Sequence, residues 1–502
     1  MNSNTSNNAV RSFVALGQMY FVLAAGVHWI FLWSNDFDTP IGVWISCTLF
    51  TSHFFWALWS WHALNRHLFD CYALFFISLC SFSGGKFFLE TFNLNQQGII
   101  SSSFSNQMLN QAVFLVTVSI ILFHSAAMYC CLSSPKRHPI LIPSAADRQY
   151  TYHYNLLNLR MLAFLFFVIS LPFIIIQNID FISLISQGGY LALFQQDVKH
   201  GIENWQSILC TFFLPGVLFF LASAPKRAPT VMVSIVLISV YTCVCLFVGG
   251  RGAASTVVLA FLLLYHNSVK RIKPVLVVCL CIGAMIIFPA IQAVRNMERN
   301  QSLSEYINVL FEQETQWYDT IAEMGNSFGT IIGTINLVPN LVPYSYGHGY
   351  CNAALRVFPN VFGIEREKTY SIWYIETVDP LQYANGGGLG FSVIAEAYAN
   401  FSWCGPPIVL GLLGFFLAKF VRQTRQNPSP FKFALEAVLL TGILVLPRSE
   451  IGVCLRPFVW YCLIPYFLLQ RRSSFESASC GDQICPITKL ILPNEAQTKQ
   501  VA

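Results

Sequence analysis

The chain has 502 residues, of which 55% are hydrophobic and only 11% charged, and its formal net charge is +5. A soluble globular domain carries about 25% charged residues, so this balance excludes an ordinary cytosolic protein. The basic residues sit in short clusters rather than a tract, which excludes nucleic acid as a partner.

Runs of roughly 20 apolar residues cross a bilayer as helices. Taken in chain order, such runs are expected over 13–33, 41–61, 71–89, 110–132, 157–177, 206–223, 231–248, 253–266, 275–291, 404–420, 434–447 and 450–469. The first, Phe13 to Trp33, is too long for a signal-peptide core and lacks a small-residue cleavage site, so it reads as a retained helix. The 16 Cys lie mostly alone inside these runs, as at Cys243, Cys245, Cys279, Cys281 and Cys462, where a thiol behaves as a small hydrophobe. None has zinc spacing, and Cys480 with Cys485 reads as two free thiols.

Basic residues recur after every second run: Arg66, then Lys136, Arg137 and Arg148, then Lys226 and Arg227. Lys270, Arg271 and Lys273 follow, then Arg422 and Arg425, and finally Arg471 and Arg472. The positive-inside rule places these loops and both termini in the cytoplasm. The expected fold is an all-α polytopic bundle of about twelve transmembrane helices. Its expected divisions are 1–291 (helices one to nine), 292–403 (a large, partly helical periplasmic loop), 404–470 (helices ten to twelve) and 471–502 (a cytoplasmic tail). Within the loop, Ile307, Leu310, Phe311 and Trp317 recur at helical spacing, which suggests an interfacial helix over 303–321. Two-halves symmetry of the kind that marks many transporters is not evident.

The informative residues are arginines on the outer side. Arg251 lies in the tight turn Gly249-Gly250-Arg251-Gly252, Arg448 and Glu450 lie in Leu446-Pro447-Arg448-Ser449-Glu450, and Arg456 follows about 12 Å deeper at 1.5 Å per residue. A buried arginine needs a partner or a wet cavity, and Pro457 biases Arg456 away from helical geometry. Three guanidinium forks suit a diphosphate, although snorkelling for Arg251, a surface ion pair for Arg448 with Glu450, and a structural ion pair for Arg456 are the plainer readings. The glycine run Gly386-Gly387-Gly388 ahead of Ser392 offers a backbone nest for an anion. Ser392, Glu396 and Asn400 then share one helix face at i, i+4 and i+8; mere solvation of that face is the alternative. In the long loop, Glu323 and the segment holding Tyr346 and His348 are further candidates, with His348 more ordinary as a turn residue.

The order of GGRG, EMGNSFGTI, VPYSYGHGY, GGGLGFSVIAEAYANF, PRSE and RPF over 230–470 resembles the Wzy-type O-antigen and capsule polysaccharide polymerases. Cys404 and the pair Pro406-Pro407 depart from that pattern. The resemblance implies a GT-C-like integral-membrane glycosyltransferase of the bacterial inner membrane that uses neither cofactor nor metal. It would polymerise undecaprenyl-diphosphate-linked repeat units at the periplasmic face, with inversion at the anomeric carbon and with a chain-length regulator as a partner beside the lipid bilayer. Arg251, Arg448 and Arg456 would hold the donor diphosphate, with Gly249, Gly250, Gly386, Gly387, Gly388, Ser392, Asn400, Tyr346 and His348 lining the substrate site. The catalytic base would be Glu396, then Glu450 or Glu323. The long loop would close over both lipid-linked chains. The rivals are a ligase to lipid A core and a flippase or exporter of the same lipid.

Overall fold

A computed structural model describes the chain apart from residues 1–2, 96–97, 100–103, 134–144, 189–204, most of 274–317, 361–365 and 470–502. Among the described residues all regular elements are helical, and nine helices are long and apolar enough to cross a membrane. The helical polytopic bundle expected from hydropathy is therefore observed, although twelve spans are not. Ser207–Ser223 is helical but short for a crossing, and it is interrupted between α6 (Trp205–Cys210) and α7 (Phe213–Ser223). The expected run over 275–291 lies almost entirely outside the described residues, as do the interfacial helix up to residue 317 and the tail holding Cys480 and Cys485.

The first half of the bundle is built from α1 (Ser3–Ser34), α2 (Pro40–Asn65), α3 (Cys71–Thr91), α4 (Asn106–Ser133) and α5 (Ala145–Gly188). Two of these starts have a local reason. Pro40 opens α2 with its φ already helical. Asp70 caps α3, accepting from the Ala73 N–H at 2.8 Å. Helix α1 turns Leu16, Leu23, Val27 and Ile30 outward, a stripe that is stable only against lipid. Inside, Phe50 of α2 meets Phe87 of α3 edge to face at 5.2 Å, and Phe87 meets Phe328 at 4.9 Å.

The second half runs through α8 (Ala228–Phe247), α9 (Arg251–Ser268), α10 (Asp319–Gly325), α11 (Phe328–Leu337), α12 (His348–Leu355), α13 (Tyr370–Val378) and α14 (Pro380–Ala384). It closes with α15 (Val393–Phe401), α16 (Gly405–Gln426), α17 (Pro430–Ile443) and α18 (Ile451–Pro457), followed by a π turn over Phe458–Leu463. Helix α16 lies along α4, and Gly414 makes that approach possible: a Cβ there would sit 2.1 Å from the Phe123 carbonyl oxygen. Two helices from the segment expected as an outer loop are core elements. Phe328, Ile331, Ile332 and Thr334 of α11 and the whole of Val393–Asn400 in α15 are buried.

One end of the bundle is fixed by a buried charge pair. Arg425, near the end of α16, reaches Glu436 of α17 at 3.0 Å, and the Glu436 carboxylate also accepts from the Cys71 N–H at 3.1 Å. His266, late in α9, sits at the same end, its ring 5.3 Å from that of Phe69. The starts of α9 and the exits of α3 and α17 therefore lie at the opposite end. Because Glu436 is fully buried and Arg425 mostly so, removing the carboxylate strands a charge. Glu436→Ala is expected to cost about 3 kcal/mol, read as a lower midpoint in thermal unfolding of the detergent-solubilised protein.

Candidate functional site

At the far end of the bundle, α8 stops in a Schellman turn. Gly249 takes φ +81°, the Gly250 N–H bonds the Cys245 carbonyl at 2.8 Å, and the Gly249 N–H bonds that of Leu246 at 2.9 Å. The turn delivers Arg251 at the first position of α9. Its guanidinium forks onto Glu323 of α10, with N–O distances of 2.7 and 3.2 Å, a bidentate pair. Helix α10 is held in place by glycine against glycine: a Cβ on Gly85 of α3 would meet the Ile321 carbonyl at 2.5 Å and the Gly325 nitrogen at 3.0 Å. The Glu323 side chain keeps 32% of its surface exposed.

The turn Leu446–Arg448, which follows α17, also packs on α3, and the Ser78 hydroxyl donates to the Leu444 carbonyl at 3.2 Å. Arg448 lies along the glycine loop. The Phe391 N–H donates to the Arg448 carbonyl at 3.2 Å, and a Cβ on Gly390, which has φ +73°, would come within 3.2–3.5 Å of Arg448 atoms. Only glycine allows that approach. The Arg448 side chain is exposed, and among the described residues its guanidinium makes no ion pair. The glycine run is not an open nest throughout. The Gly386 and Gly387 N–H groups close α14 by bonding the Tyr383 and Gln382 carbonyls at 3.0 and 2.8 Å, whereas Gly388 faces open space.

The stripe at Ser392, Glu396 and Asn400 is buried and has specific employment. Ser392 caps its own helix through the Ile394 N–H. Glu396 accepts from the Ile451 N–H at 2.7 Å, the first residue of α18. Asn400 accepts from the Gly349 N–H at 3.2 Å in the first turn of α12, whose cap position Gly347 has no side chain to offer. Glu450, displaced from capping its own helix, accepts from the Tyr370 N–H at 2.7 Å and so caps α13. Carboxylates are favoured at helix N-termini by the unpaired N–H groups and the dipole. Burial holds the Glu450 carboxyl above the ordinary carboxylate range, against the pull of the Tyr370 N–H and the charge of Arg356. The Tyr370 ring stacks on Phe391 at 5.5 Å, its hydroxyl donates to Ser345 at 2.9 Å, and the Ser345 N–H bonds the Ala399 carbonyl.

These contacts divide the carboxylates. Glu396 and Glu450 are 1% and 7% exposed and hold helices; Glu323 is the accessible one. An anchoring role for Glu396 makes a sharp prediction, because an amide oxygen can still accept the Ile451 N–H. Glu396→Gln should keep most of the activity, whereas Glu396→Ala should lose about 1–3 kcal/mol of stability and most of the product. A general base would instead lose about 10²–10⁴-fold on conversion to Gln. Product ladders and unfolding midpoints of the two variants separate the roles.

The remaining expected residues lie apart. Tyr346 is 80% exposed with φ +47°. His348 is exposed, its Nδ1 3.1 Å from a Glu367 carboxylate oxygen. Arg456 does not leave helical geometry as Pro457 suggested; it stays within α18, and the missing N–H of Pro457 is accommodated by the π turn that follows. Its guanidinium bonds the Arg356 carbonyl at 3.0 and 2.5 Å, closing the C-terminus of α12, and Trp460 donates to Val357 beside it at 3.0 Å. Arg356 and Tyr370 were not among the expected residues, whereas Tyr350 lies in the candidate segment that holds Tyr346 and His348. The Tyr350 hydroxyl is buried without a hydrogen bond among the described residues, and burial and the nearby Glu396 push its pKa up. The alternation of Tyr with Gly over 344–350 was the one available signal.

One exposed arginine thus lies along a glycine loop and one paired arginine sits at an accessible carboxylate, and the turn of the first and the helix α10 beside the second both pack on α3. A family description, O-antigen polysaccharide polymerase Wzy, matches residues 18–471. The chain belongs to this family. Comparison with curated proteins and with solved structures gives no match. Membership makes the chain a multi-pass membrane protein that polymerises polysaccharide, in keeping with its apolar helices and with the resemblance carried by the glycine and arginine motifs.

Proposed function

We propose that this Wzy-family polymerase transfers a growing glycan from a polyprenyl diphosphate to the end sugar of an incoming lipid-linked repeat unit, at the periplasmic face of the inner membrane. The observation that carries the reading is Arg448, an exposed guanidinium laid along the backbone of Gly390. A cation in that position at the end of an apolar bundle suits a diphosphate, which it can grip bidentately. The basic clusters after alternate helices support the orientation.

Arg251 would be the second grip. A diphosphate reaching it competes with Glu323 for the same fork. A diphosphate that draws Arg251 away weakens that pair, and the Glu323 carboxylate, a third of its side chain exposed, can then take the proton of the acceptor hydroxyl. That hydroxyl oxygen bonds the donor anomeric carbon, and the anomeric C–O bond to the diphosphate breaks. The lipid diphosphate leaves against Arg448 and Arg251, which stabilise its charge. Binding of the donor and release of the base become one event, so a hydroxyl is not activated before the donor is in place. Glu396, Asn400 and Glu450 position the helices around this centre, and a chain-length regulator would act from outside it.

The test is reconstitution. Purified protein given only lipid-linked repeat units should produce a ladder of longer glycans. Silence that lifts on adding a lipid A core acceptor would establish a ligase instead, and translocation without chain growth an exporter.

A further inference from the structure

At the end of the bundle away from Arg448, a cavity of about 820 Å³ opens between the C-terminal halves of α4 and α16, the start of α17 and the π turn. That is within the range of roughly 300–1,000 Å³ usual for small-molecule sites. Its wall is apolar, with Phe415, Leu435, Leu439, Phe458 and Leu463 along it. From Phe415 to Gln426 it follows α16 for about 16 Å at 1.5 Å per residue.

The polar part of the lining is cationic. Lys419, Arg422 and Lys432 border the cavity, and among the described residues no carboxylate does. Arg422 is fixed by donating to the Cys130 and Cys131 carbonyls, both at 2.9 Å, which also closes the C-terminus of α4. Lys419 is exposed, with its ammonium 6.0 Å from the centre of the Phe415 ring. The Glu436 carboxylate at this end is already engaged by Arg425, and among the described residues neither Lys419 nor Lys432 has an ion-pair partner. Lysines at the end of a membrane helix commonly snorkel to the headgroups with no specific ligand. Here three cations line one largely apolar cavity, and basic pockets of this kind between helices take anionic headgroups.

We propose that this cavity is a binding site for an anionic phospholipid, with an acyl chain along α16 and the phosphate between Lys419, Lys432 and Arg422. The site is separate from the glycan chemistry and does not depend on it. Charge complementarity selects the lipid class: a zwitterionic headgroup brings a cation of its own against the lysines.

Purified full-length protein in detergent is titrated with cardiolipin, phosphatidylglycerol and phosphatidylethanolamine, and bound lipid is counted by native mass spectrometry. The anionic lipids should bind about tenfold or more tightly than phosphatidylethanolamine, and Lys419→Ala with Lys432→Ala should erase the preference, since each cation near an anionic headgroup contributes several-fold. Unfolding midpoints confirm that the double variant is folded. Equal binding of all three lipids, or a preference that survives in a folded double variant, overturns the proposal. So does competition by a peptide of residues 471–502, which would make the chain's own tail the occupant.

Discussion

Arg448→Ala should abolish long-chain product while leaving the protein inserted and abundant. The side chain is exposed and contributes no ion pair among the described residues, so its loss should leave stability almost unchanged. Its carbonyl, which accepts from Phe391, belongs to the backbone and survives the substitution. What disappears is a fork aimed at a departing diphosphate, and removing one such group costs about 10²–10³-fold in turnover. Arg448→Lys keeps the charge and loses the planar pair of donors, so it should fall between wild type and alanine. Glycan ladders from cells with matched protein levels provide the measurement. Normal ladders in Arg448→Ala would remove the diphosphate role.

Glu323→Gln is expected to be nearly as damaging, through the other half of the reaction. The amide can still accept from Arg251, so α10 should stay docked on α3 through Gly85 and Gly325. It cannot take a proton. Loss of general-base help costs about 10²–10⁴-fold, and it should appear in kcat with KM for the donor little changed. A rise in donor affinity with kcat preserved would instead make Glu323 only a counter-ion that competes with the donor for Arg251. Together with the Glu396→Gln variant, which should remain active, this pair decides which carboxylate meets the acceptor.

The division between what could and could not be foreseen follows sequence separation. Helix positions came from local hydropathy, and the glycines at 249–250 and 386–388 were recognisable because a tight turn needs them within a few residues. The shared face of Ser392, Glu396 and Asn400 was equally local and therefore legible. Its purpose was not, because the N–H groups it serves belong to Ile451 and Gly349, about fifty residues away in either direction. The same distance hid the pairing of Arg251 with Glu323, so two residues expected in separate roles are seen as partners. For Arg456 the steric effect of Pro457 is local and legible, whereas the open end of α12 that the arginine closes lies far away in the chain, at Arg356. The buried faces of α11 and α15 failed for another reason: helices of ten and nine residues are too short to register as spans, and only packing reveals them as core.

The three-fold anchoring around α15 bears on how members of this family can be recombined. The segment carrying α12 and α13 is plugged at Asn400 and Glu450, while α18 is plugged at Glu396. A chimera that imports residues 340–380 alone must set its own N–H groups at positions 349 and 370 against the Asn400 and Glu450 acceptors. The smallest transferable cassette is discontinuous: that segment, α15, and the stretch from Pro447 to Trp460 must travel together. The segment carrying α12 and α13 is thus an interlocked piece of the bundle rather than a removable surface loop.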